Sequence, residues 1–222
     1  MTDGAVVSLW RYPVKSMMGE ELNASDVTDR GLLGDRSLAL VDTETGKVVS
    51  AKNPRKWPTM FDFRAVFTTP PALGGPLPPV RVTLPDGVSV TSDDARFAEV
   101  LTGALGRPVT LASAAPPEPS LEEYWRPDIA ELAHQATVTD EAMPAGMFFD
   151  LATIHVLTTA TLNRLRKLYP QGRFEVRHSG PTSPCVPTTM TPSSWRPAGW
   201  GENFGSATTS CSRSPTTARA AS

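Results

Sequence analysis

The chain has 222 residues, 40% of them hydrophobic, and a formal net charge of -2, enough for one large domain or two small ones with a real core. The balance gives no basic face for nucleic acid. No apolar run approaches the roughly 18 residues a bilayer span needs, "MTDGAVVSLWRYPVKS" lacks the basic-then-apolar order of a secretory signal, and two cysteines make neither a disulfide framework nor a zinc site. The default expectation is a soluble, cytoplasmic protein.

In chain order, "AVVSLWR" (5–11) predicts a strand that runs into the turn-prone "YPVKS". "SLALVD" (37–42) and "KVVSA" (47–51) flank "TETG", where Gly46 can take the positive φ of a hairpin turn. "FDFRAVF" (61–67) alternates with period two, and "PVRVTL" and "VSVTS" flank the "PDG" hairpin signal at 85–87. Short strands with tight turns favour a small barrel or sandwich.

The stretch 92–109 then switches to helical spacing. Ser92 is the expected N-cap, Asp93 and Asp94 suit the positive end of the dipole, and Gly106 with Pro108 stops the helix. Residues 112–147 are polar, with "AAPPEPS" as the linker. "FFDLATIHVLTT" (148–159) predicts a buried strand, "TATLNRLRKLYPQG" a helix with Leu162, Leu165 and Leu168 on one face, and "RFEVR" (173–177) another strand.

Several residues could carry chemistry. Lys15 and Ser16 follow a Pro-containing turn, and an ammonium beside a hydroxyl suits a phosphate or other anion; an exposed surface pair is the plainer reading. Asp35 and Arg36 sit where a loop enters a strand. Arg36 could fork onto a phosphate, or the two could simply close a barrel end. Thr158 and Thr159 stand at a strand-to-helix junction, where one caps the helix and the exposed N–H groups can also hold an anion. His155 reads as a core histidine and His134 as a surface one. No Ser-His-Asp or Cys-His pairing and no glycine-rich phosphate loop is present.

Taken together, "LWRYPVKSMMGEEL", "GLLGDRSLALVDTETGKVVSAKNPRKWP" and "FFDLATIHVLTTATLNRLRKLYPQGRFEVR" resemble the MOSC superfamily. The branch is the one with an N-terminal β-barrel domain, which includes the amidoxime-reducing component and the C-terminal domain of molybdenum cofactor sulfurase. The resemblance runs from Val6 to Arg177. It implies a mainly β (α+β) fold: an N-terminal barrel over 1–111, then a truncated β-rich MOSC domain with a few helices over 112–177. It also implies a molybdenum cofactor, with Lys15, Ser16 and Arg36 on its phosphate and pterin and with Thr158 and Thr159 lining it. The intact relative would remove oxygen from N-hydroxylated compounds or carry sulfur, with a small-molecule substrate and an electron-donor protein of ferredoxin or flavin/haem type. A non-catalytic module that binds molybdopterin or pyridoxal phosphate, or an inactive pseudogene product, are the alternatives.

The chain then departs from that family. From His178 to Ser222 there is no Leu, Ile or Lys, and Ser and Thr exceed a third of the residues. Such a segment is expected to be disordered. Cys185 in "PTSPCVPTT" echoes the family's metal-binding cysteine but arrives too early, with the intervening strands missing. Read one base out of frame, codons compatible with this segment can spell Phe-Arg-Pro-Asn, an acidic run and a Gly-Trp-Val-Gly-Arg element, which restores the family's order. We therefore expect residues 178–222 to be an out-of-frame tail, with Cys185 and Cys211 accidental and the metal ligand lost. Resequencing codons 170 to 185 should find a missing or extra base near codon 178; an unbroken frame would overturn this reading.

Overall fold

The structure, a computed structural model, describes residues 4–125, 137–150, 152–176, 183–187 and 211–212. It is built mostly of short strands with two α-helices among the described residues, a mainly β, α+β fold. The chain divides into two compact units: Met1–Trp10, Glu21–Leu33 and Ile154–Ser222 form one, and Arg11–Glu20 with Gly34–Thr153 the other.

The larger unit holds the main core. A three-stranded antiparallel sheet places Val80–Thr83 between Arg64–Phe67 and Ser89–Thr91, with Val82 opposite both Ala65 and Val90. The period-two pattern of "FRAVF" and "VRVT" puts Phe63, Ala65, Val80 and Val82 inward, all fully buried. The hairpin turn between the last two strands is made as expected: Gly87 has φ +88, and Leu84 N–H donates to Val88 O at 2.8 Å. Helix α1 (Phe97–Leu105) drops Phe97 and Leu101 into the same core and ends at Gly106 with φ +68. Full burial of such a side chain stabilises by about 1.5–3 kcal/mol.

A second pair, Ala39–Asp42 with Val109–Ala112, runs antiparallel with Leu40 opposite Leu111. The turn after it is closed by Asp42 N–H on Lys47 O and Gly46 N–H on Asp42 O. The segment 11–19 is threaded tightly through this unit. Lys15 N–H donates to Leu38 O, Leu38 N–H to Pro13 O, and Met18 N–H to Phe63 O. Gly19 is required there, because a Cβ would lie 2.1 Å from the Arg11 carbonyl oxygen.

In the smaller unit Ser183–Pro187 lies between Gly4–Val6, antiparallel, and Val156–Thr158, parallel. Helix α2 (Thr159–Leu168) follows directly, with Thr158 as its N-cap, the hydroxyl accepting Thr161 N–H at 3.0 Å.

Several expectations need correction. The strand over 5–11 is two strands, Gly4–Val6 and Leu9–Arg11. Near the break the Ser8 hydroxyl accepts the Trp10 indole N–H at 3.2 Å. Ser92 does not cap α1; its hydroxyl accepts Val80 N–H at 2.9 Å, while Asp94 accepts Arg96 N–H and makes the turn before the helix. The polar stretch 112–147 contains an antiparallel hairpin, Ser120–Trp125 with Thr137–Ala142. Its polarity serves ion pairing, because Glu122 meets Lys47 and Lys56 and Glu123 meets Lys52.

Among its described residues the stretch 148–159 is strand only at Val156–Thr158, where Val156 is exposed. The Phe148 carbonyl is taken by the Lys15 ammonium at 3.1 Å, so a side chain occupies what a ladder would use. His155 is exposed and is not a core histidine. On α2, Leu162 is buried but Leu168 is 70% exposed. Residues 173–176 form no strand: the Arg166 guanidinium holds Phe174 O at 2.9 Å, and the Phe174 ring packs edge-on to Tyr169. His134, Arg177 and most of 178–222 lie outside the described residues; within that segment Ser183–Pro187 and Cys211–Ser212 are strands.

Candidate anion-binding site

Three of the residues singled out by sequence, Lys15, Ser16 and Arg36, fall in the larger unit and share one backbone crossing. The loop 12–16 passes the loop 34–38. Arg36 N–H donates to Tyr12 O at 2.7 Å, and Val14 and Leu38 form a parallel bridge. Asp35 locks this crossing from inside. Its Oδ1 accepts Tyr12 N–H at 2.7 Å, its Oδ2 accepts the Arg36 Nη1 donor at 2.6 Å, and its side chain is fully buried. Burial pushes the Asp35 carboxyl up, while Arg36 and the Tyr12 N–H pull it back.

Ser16 and Arg36 share a second property. They are the non-glycine residues with positive φ among the described residues, at +63 and +45. Such conformations cost of order 1–3 kcal/mol and persist where the surroundings over-determine them. Here they do. Asp35 and Tyr12 fix Arg36, and the Ser16 hydroxyl accepts Ala51 N–H at 3.1 Å. The Arg36 guanidinium lies 4.9 Å from the Tyr12 ring centroid and 5.4 Å from that of Phe149. Both are within cation–π reach.

Lys15 is 5% exposed, with its ammonium donating to Phe148 O and paired with Asp150. Burial pushes the ammonium below its ordinary value; Asp150 opposes this, while Arg36 and Lys52 add to it. Lys52 extends the cluster, with its Nζ 3.5 Å from Asp150 Oδ2 and 3.5 Å from Glu123 Oε2. The loop 50–57 that carries it is pinned on both sides. Tyr124 N–H donates to Lys52 O, Asn53 Nδ2 donates to Glu122 Oε2 at 3.2 Å, and Lys56 bridges Asp42 at 2.9 Å and Glu122 at 3.1 Å.

The donor set is thus two ammonium groups, one flanked guanidinium and one hydroxyl. It can bind a phosphate or another oxyanion through charge-assisted hydrogen bonds. Among the described residues no group of three or more His, Cys, Asp or Glu side chains is placed to hold a metal ion. No described helix is long and apolar enough to cross a membrane. Thr158 and Thr159 lie in the other unit, Thr158 as the α2 cap, and the strand register puts Cys185 opposite Thr158.

Sequence reasoning passed over Lys52, Phe149 and Asp150. Lys52 stands in "SAKNPRKWP" among other cations, and the aromatic pair with its acid, "FFD", reads as the start of a strand. Nothing local marks either as converging on Lys15, which is 135 positions from Asp150 along the chain.

One known family matches the first part of the chain. Residues 3–94 match the MOSC N-terminal beta barrel domain. The N-terminal part of the chain is thus similar to a MOSC N-terminal beta barrel domain. The matched span includes Lys15, Ser16, Arg36 and Lys52, while Phe149 and Asp150 lie beyond it. No curated protein matches the chain.

Lys15 gives the larger unit a measurable pH signature. The folded chain releases this proton at a lower pH than the unfolded chain, whose value is near 10.5. Stability should therefore rise with pH between the folded value and 10.5, by at most about 1.4 kcal/mol per pH unit for one proton. Lys47 and Lys56, raised by their acidic partners, lose stability only above that window. Urea denaturation across this window should show the rise in the parent chain and its loss in Lys15→Met; equal slopes would contradict the assignment.

Proposed function

We propose that this is a MOSC protein and binds a molybdenum cofactor, with Lys15, Ser16 and Arg36 holding its phosphate and pterin. The observation that carries the reading is the coincidence of strain and charge. The two described non-glycine residues with positive φ, Ser16 and Arg36, adjoin the buried ammonium of Lys15. An observed backbone outlier in a cationic, convergent site is a reason to infer function.

The residues fit the organic, anionic part of such a group. Lys15 supplies a point charge from a desolvated position, where its attraction for an oxyanion is least screened. Arg36 adds a planar guanidinium that keeps Asp35 on Nη1 and lies within cation–π reach of Tyr12 and Phe149. Ser16 keeps an O–H to donate while accepting Ala51 N–H. When bound, the cofactor supplies the redox or sulfur-carrying chemistry. For the intact relative, that implies a small-molecule substrate, an N-hydroxylated compound where it reduces, and an electron-donor protein in the cytoplasm.

The hard donors of this site offer nothing soft to molybdenum. With residues 178–222 read as out of frame, we assign oxygen removal or sulfur transfer to the intact relative and binding to this chain. The site also suits a phosphate-ligand module without turnover, since its side chains are anion binders and none is placed as a nucleophile.

Co-expression with cofactor synthesis, followed by oxidation to the fluorescent pterin and metal analysis, tests the reading. The parent chain should carry pterin, Lys15→Ala should lose it, and Cys185→Ser should retain it. Equal pterin in the parent and Lys15→Ala, or none in either, would refute it. A loss of metal and activity in Cys185→Ser would restore that cysteine as a ligand.

A further inference from the structure

We propose that Asp150 is a displaceable internal counter-ion: the phosphate group of a ligand takes its place on Lys15 and Lys52, and the carboxylate swings to water. This rests on the reading of Lys15 as a phosphate-binding residue and adds what controls that site.

The charges argue for exchange rather than simple addition. Lys15 and Lys52 face Asp150 and Glu123, so the four groups balance and the resting site presents no net charge to an incoming anion. Once Asp150 turns out, Lys15, Lys52 and Glu123 carry one net positive charge, which a phosphate group can meet. Two anions beside one buried lysine would repel in a medium that screens poorly.

The burial pattern says which partner can move. The Lys15 side chain is 5% exposed and is tethered to Phe148 O, whereas Asp150 is 42% exposed. Turning the carboxylate outward rehydrates a charge that is already partly wet. Moving Lys15 would strand an ammonium and orphan a backbone carbonyl. The second contact of Asp150, on Lys52 at 3.5 Å, is loose. Arg36 keeps its own acid, Asp35, which is fully buried and takes no part in the exchange.

Inorganic phosphate, titrated by calorimetry at fixed ionic strength, tests the proposal on the full chain, with near-ultraviolet circular dichroism to report folding. Asp150→Asn should bind phosphate about fivefold or more tightly, the lower end of coupling between linked sites. Asp150→Glu, still anionic, should bind like the parent. Lys52→Met should weaken binding in the parent background, and that result decides the matter if Asp150→Asn does not fold. If Lys15→Met leaves phosphate affinity unchanged, the binding site itself is misplaced. If Lys15→Met abolishes binding while Asp150→Asn binds no better and Lys52→Met no worse than the parent, the site stands and the counter-ion role of Asp150 is wrong.

Discussion

The buried Asp35 carboxylate is the constraint on which the site depends. It accepts Tyr12 N–H from one loop and the Arg36 guanidinium from the other, with no exposure of its own. A carboxylate taken fully out of water costs several kcal/mol unless its charge is paired and its lone pairs used. Both oxygens are occupied here, so the two loops are held at one spacing, and removing either donor would leave an uncompensated charge inside the fold.

Other features of the crossing follow from that clamp. With Tyr12 and Arg36 joined through backbone and side chain, the intervening residues have little freedom. Ser16 and Arg36 adopt left-handed backbone that neither would take alone. The same clamp keeps the Arg36 guanidinium 4.9 Å from the Tyr12 ring centroid. Gly34, at φ +82, serves the same crossing, for a Cβ there would lie 2.7 Å from the Phe67 ring. Strain, charge and close approach thus fall within a few residues, and the energy that sustains them comes from the sheet and helix core around Phe63, Val82 and Leu101.

Much of this was legible in the sequence where the signal is local. The "PDG" and "TETG" turns, the alternation around Phe63–Phe67 and the stop at Gly106 each rest on one residue type doing one conformational job. The pairing of Lys15 with Ser16, and the presence of Arg36 after Asp35, could be read as anion chemistry from neighbours alone. What was illegible depends on distant partners. Glu122 and Glu123 made a hairpin look like a merely polar stretch because their lysines sit some seventy positions earlier. Asp150 looked like strand sequence because its partner is Lys15. Ser92 was a plausible cap until the sheet claimed its hydroxyl for Val80. Burial explains the misplacement of His155: an apolar neighbourhood in sequence is not an apolar neighbourhood in space.

The most direct test of the account is a double-mutant cycle between Asp35 and Arg36, read out as phosphate affinity. If Asp35 acts by holding Arg36 in place, Asp35→Asn should weaken binding in the parent chain and add nothing once Arg36 is alanine, a coupling that distant, independent sites do not show. Additive losses in the double variant would contradict the account and leave Asp35 as an ordinary element of stability.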